Sequence, residues 1–147
     1  MLFENLGILK SIIKYSTQSQ MKIRVTDVVS DQNILRVRFN SPFGDGVALW
    51  SDPAPEIGED LDVEFELDEV FSWQKNIMPS IEKTPQITFT NDTHSITGKF
   101  IQDGDDSCAA LKLGDSIILI ELDEPIRQKL DLVELRVNTI HLYPTNV

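Results

Sequence analysis

Leu61-Asp62-Val63-Glu64-Phe65-Glu66-Leu67-Asp68 alternates strictly between apolar and acidic side chains. A period of two belongs to a β-strand, whose successive side chains leave opposite faces. One face of residues 61–68 therefore turns Leu61, Val63, Phe65 and Leu67 to a core, and the other carries a row of four carboxylates. Same-face neighbours on a strand stand about 6.6–6.8 Å apart, so the row spans on the order of 20 Å against its own repulsion.

The alternation recurs upstream. Ile23/Val25 and Leu35/Val37/Phe39 have polar or charged residues between them, and Ser30-Asp31-Gln32-Asn33 is turn chemistry. These features predict a hairpin of residues 22–29 and 33–40. Val47-Ala48-Leu49-Trp50 reads as a third strand, stopped by Pro53-Ala54-Pro55.

A shift of 70 positions lays Gly44-Asp45 on Gly114-Asp115, Val47 to Trp50 on Ile117 to Ile120, Pro55 on Pro125, and Val63 to Leu67 on Val133 to Val137. The apolar phase switches from odd to even positions after Leu67 and again after Val137, which predicts a β-bulge in each final strand. Leu35/Val37/Phe39 meet Ala109/Leu111/Leu113 only at a shift of 74, which places an extra loop of about four residues at Asn40-Ser41-Pro42. The pattern reads as an internal duplication with halves at about 22–73 and 95–143. Each half is too small for a secure core alone, so the two should share one. The expected architecture is mainly β, an antiparallel eight-stranded barrel or sandwich made of two duplicated four-stranded halves, with 74–94 crossing between them. A pair of small five-stranded barrels is the alternative.

Ahead of this β-domain of residues 21–147, Leu2, Phe3, Leu6, Leu9, Ile12 and Ile13 fall on one stripe at helical spacing. They predict an amphipathic N-terminal α-helix over about 3–15, joined by the polar linker 16–20. Lys10 and Lys14 interrupt the apolar run, so no export signal or membrane helix is expected and the cytoplasm is the default location. The lone Cys108 allows no internal disulfide.

The 147 residues hold 13 Lys+Arg against 24 Asp+Glu, a net charge of −11. Residues 1–40 carry +3, 41–73 carry −10 and 74–147 carry −4. Direct binding to nucleic acid is disfavoured, because the phosphate backbone attracts basic surfaces.

Catalytic constellations are not apparent. His94 follows the turn-like Asn91-Asp92-Thr93 and His141 falls on the outward phase of the last strand, so both read as surface residues. Cys108 sits in an apolar strand without a nearby cation and reads as an inert buried thiol. Phosphate loops, nucleophile elbows and paired-Cys metal spacing are missing. Asp103-Gly104-Asp105-Asp106 lacks the ordered oxygen spacing of a calcium loop and reads as a hairpin turn. No enzyme activity, metal or cofactor is expected.

The candidate site is thus the acidic row, Asp62, Glu64, Glu66 and Asp68, extended by Glu69 and flanked by the aromatic groups Phe43, Phe71 and Trp73. Charges steer an encounter and aromatics anchor it. A competing account makes the row structural, neutralised across the sheet by Arg24, Arg36 and Arg38. The equivalent positions of the second half, Leu132, Glu134, Arg136 and Asn138, carry no net charge, which sets the first row apart. The expected function is a protein-binding module that occludes a basic partner, in the manner of an antitoxin or immunity protein to a nuclease-type toxin. A β-barrel holding a small molecule in its interior is the second reading.

Overall fold

A computed structural model describes residues 20–51, 53–102 and 107–145, and every regular element in them is a β-strand. In chain order these are β1 (Met21–Asp31), β2 (Ile34–Ser41), β3 (Gly44–Trp50), β4 (Asp60–Glu66), β5 (Val70–Phe71), β6 (Ile77–Pro79), β7 (Gln86–Thr90), β8 (Thr93–Gln102), β9 (Cys108–Leu113), β10 (Ser116–Leu122), β11 (Leu132–Val137) and β12 (His141–Pro144). The expected helix at 3–15 and the expected turn at 103–106 lie outside the described residues. Among the described residues no helix is long and apolar enough to cross a membrane.

Polar turn residues set the hairpins. Gln32 and Asn33, with φ of 51° and 67°, join β1 to β2, and Asn91 and Asp92, with φ of 53° and 61°, join β7 to β8. Positive φ at both central positions matches the right-handed twist of the strands, and Asn tolerates that conformation better than branched residues do.

The strands form a closed five-stranded barrel, β1-β2-β3-β12-β4, and a seven-stranded sheet with the order β5-β10-β9-β8-β11-β6 and β7 on β8. The closed barrel is therefore smaller than the expected eight strands. In the first part of the chain β1, β2 and β3 form a meander and β4 returns to pair with β1. In the second part β8, β9 and β10 form a meander and β11 returns to pair with β8. The last strand of each part then leaves it: β5 runs parallel to β10, and β12 runs parallel to β3.

This exchange replaces the expected bulges. The phase switches after Leu67 and Val137 are breaks where the chain stops pairing in its own sheet and joins the other. The barrel closes because β12 also pairs antiparallel with β4. In the second sheet the equivalent place is divided between β5 on β10 and β6 on β11. Residues 72–76 fill the gap with a turn, in which the N–H groups of Lys75, Asn76 and Ile77 donate to the Ser72 carbonyl.

The expected insertion at Asn40-Ser41-Pro42 is also corrected. Hairpin β2–β3 turns on Pro42-Phe43 and hairpin β9–β10 on Gly114-Asp115, each with two residues between strands. Buried Val37, Phe39, Ser41, Ala48 and Trp50 match buried Ala109, Leu111, Leu113, Ile120 and Leu122 without a gap.

The inward side chains of both parts form one hydrophobic core, including Val25, Val37, Phe39, Val63 and Leu142 from the barrel and Ile96, Leu111, Ile118, Val133 and Leu135 from the sheet. Phe39 and Phe65 meet edge to face with ring centres 5.6 Å apart. The barrel's inward positions are packed apolar residues, so the polar chemistry lies on its outside.

Candidate functional site

Strand β4 holds the first three members of the acidic row on the outer face of the barrel, with Asp62 partly buried and Glu64 and Glu66 exposed, and Asp68 lies exposed just past its end. On one side β1 sets Lys22 opposite Asp62 and Arg24 opposite Asp60. Arg24 donates from Nε to Asp60 Oδ1 at 2.8 Å and from Nη2 to Oδ2 at 3.1 Å. This forked pair raises the guanidinium pKa and lowers that of the Asp60 carboxyl, chiefly through its hydrogen bonds. On the other side β12 sets Tyr143 opposite Glu64 and His141 opposite Glu66. The His141 Nε2 lies 2.9 Å from Asp68 Oδ2, and its ring stacks on Tyr143 at 6.4 Å.

Glu69 leaves the row. Its carboxylate accepts from the Asn138 backbone N–H at 2.9 Å and from the Asn138 side-chain amide at 3.4 Å, which ties the two sheet-crossing links together. Phe71 is fully buried beside β10, so it belongs to the core and offers nothing to a partner. Phe43 and Trp73 are half-buried and packed against the same core. The structure thus keeps Asp62, Glu64 and Glu66 on one face of β4 with Asp68 just beyond it, turns Glu69 to Asn138, and uses Phe71, Phe43 and Trp73 in core packing.

Of the three arginines expected to neutralise the row, Arg24 pairs with Asp60, just outside it, and none of the three pairs with Asp62, Glu64, Glu66 or Asp68. Arg36 and Arg38 lie on β2, which β1 separates from β4. Neither pairs with a carboxylate among the described residues. Both guanidinium-bearing residues instead line a cleft of about 440 Å³ where the barrel meets the second sheet. Val47, Leu49 and Ile140 form part of its wall, with Phe89, Asp92, His94, Asn138 and Thr139 facing them from the β7–β8 hairpin and the β11–β12 link. The signal was present in the alternation of Arg36 and Arg38 with Leu35, Val37 and Phe39.

His94 departs from its expected surface position. Only 2% exposed, it accepts a hydrogen bond at Nε2 from the Val47 N–H at 3.1 Å and packs on Phe89 with ring centres 4.5 Å apart. Its Nδ1 is buried near the Val137 backbone without a good hydrogen bond. Burial lowers the imidazole pKa from 6.5 to about 4, against a smaller opposing effect of Val137. At neutral pH this ring is an uncharged acceptor. Cys108 is buried and forms no disulfide. Among the described residues no group of three or more His, Cys, Asp or Glu side chains is placed to hold a metal ion.

Comparison with known proteins finds no matching family model, no matching curated protein and no matching solved structure.

Proposed function

We propose that the protein is a cytoplasmic, non-enzymatic binding module whose β4 face docks on a basic protein and occludes it, as an antitoxin or immunity protein does to a nuclease-type toxin. The observation that carries this reading is the unpaired state of Glu64 and Glu66. Both are exposed, and neither has an ion-pair partner among the described residues. The unpaired cations Arg36 and Arg38 lie on β2, away from β4, so neither cancels the charge of Glu64 and Glu66. A rigid strand holds the carboxylates at a fixed spacing of about 6.7 Å, and a cleft built for nucleic-acid phosphates would meet them favourably.

The shared pairing order of β1–β4 and β8–β11 supports descent of the two halves from one duplicated four-stranded unit. On that reading only the first copy carries the acidic row, since Leu132, Glu134 and Arg136 occupy the second copy's strand.

The test is capture of partners from the native cell with the wild-type chain and with the double variant Glu64→Gln/Glu66→Gln, followed by association kinetics with the purified partner. A basic nuclease retained by wild type, inhibited by it, and associating about tenfold more slowly with the variant at low salt supports the proposal. Equal association rates for the two chains would refute it.

A further inference from the structure

We infer that the cleft at the barrel–sheet junction is a binding site for a small molecule carrying a multivalent oxyanion, a phosphate or polycarboxylate group held by Arg36 and Arg38. The inference is independent of the β4 face, which β1 separates from β2 on one side and β3 and β12 on the other.

Two features of the arginines support it. They occupy alternate positions of one strand, so both guanidinium stems leave the same face about 6.7 Å apart, a separation that two oxygens of one multivalent anion can bridge. They are also unpaired among the described residues, in a chain with 24 acids and 13 bases where a carboxylate partner would be easy to supply. Arg36 is flanked across the sheet by Val29 and Leu49, which offer no charge. Arg38 is flanked by Val47 and by Asp27, whose carboxylate accepts the Val28 N–H at 2.9 Å and makes no ion pair with Arg38.

The remainder of the cleft suits a compact organic ligand. A volume of about 440 Å³ falls within the usual range for small-molecule sites, and such sites favour the junction of two structural units. Phe89 supplies an aromatic wall and Thr139 a hydroxyl. Asp92, the one carboxylate of the lining, leaves the two arginines in excess and can accept from a ligand hydroxyl or amine. His94 holds the facing strands in place through Val47 and remains neutral, so it adds no charge of its own.

The experiment is titration of the full chain with inorganic pyrophosphate and, separately, with citrate, followed by amide chemical shifts. Saturable shifts concentrated at Val47, Leu49, His94 and Thr139 are expected. Pyrophosphate preferred over citrate identifies the source as a phosphate compound, and the reverse a polycarboxylate. Arg36→Gln/Arg38→Gln should weaken binding at least about tenfold while leaving the thermal melt unchanged. Should the double variant melt early, Arg36→Gln alone carries the same expectation. Shifts that never saturate, or equal affinity in the variants, would overturn the site. Sedimentation of the same samples covers the remaining occupant: dissociation of a wild-type oligomer on arginine removal would mean that the acidic face of a second copy fills the cleft, and would also overturn it.

Discussion

The imidazole of His94 accepts the backbone N–H of Val47 at 3.1 Å, so one buried ring joins the first strand of the second meander to the third strand of the barrel. The bond needs Nε2 unprotonated. Burial supplies that condition by holding the pKa at about 4 rather than 6.5. Between those values the unfolded chain binds more protons than the folded one, so this contribution is complete above pH 6.5 and declines as pH falls toward 4. Its size is on the order of 3 kcal/mol. Urea midpoints measured from pH 7.5 to 4.5 should fall more steeply for wild type than for His94→Gln, whose amide oxygen can accept the same N–H without titrating. Parallel curves would exclude His94 as the source.

Gly44 provides the second tie between the sheets. Its φ is 137°, and a Cβ there would stand 1.9 Å from the Ile87 carbonyl oxygen, while the adjacent Phe43 carbonyl accepts the Ile87 N–H at 2.8 Å. Gly44→Ala must therefore displace β7 backbone as well as adopt a strained conformation. At Gly58, where φ is 92°, a Cβ would have nothing within 4 Å, which isolates the conformational cost. Thermal denaturation should show Gly58→Ala losing about 1–2 kcal/mol and Gly44→Ala losing distinctly more. Equal losses would mean that the Ile87 contact is unimportant.

Phe71 tests the division between core and docking face. Because its side chain is fully buried, Phe71→Ala should cost about 3–5 kcal/mol through the cavity it leaves. In those molecules that remain folded, association with a β4-directed partner should keep its rate. A stable variant with impaired association would return Phe71 to the interface.

Local alternation made β4 and the first hairpin readable, because each strand there has one buried and one solvated face. The same pattern displayed the acidic row, and its exposure at Glu64 and Glu66 follows from the strand alone. Other features depended on partners distant in sequence. The phase switch after Leu67 marked a disruption, but nothing near Val70 and Phe71 announces that they pair with Glu121 and Leu122. Hence Phe71 was expected beside the acids and lies in the core. His94 follows a polar turn, which suggests exposure, yet room for its ring is made by Gly46, where a Cβ would stand 3.1 Å from Nε2. Turn chemistry is local, whereas burial of the residue after a turn depends on what packs above it.

The exchanged strands make a final prediction about cooperativity. β5 stands in the sheet of the second half and β12 in the barrel of the first, so neither half can complete its pairing while the other is unfolded. Val63 and Val133 occupy matching buried positions on β4 and β11 within one core. Removing two methyl groups from either should lower stability by roughly 1–3 kcal/mol, with the range reflecting how far each site collapses. Val63→Ala and Val133→Ala should each move the same single calorimetric transition, and the calorimetric and van't Hoff enthalpies should remain equal. If the halves were independent, each substitution would move one transition and leave a second in place, because the unfolding of one barrel would then not remove a strand from the other. Two separable transitions would therefore contradict the exchange as the basis of the fold's cooperativity.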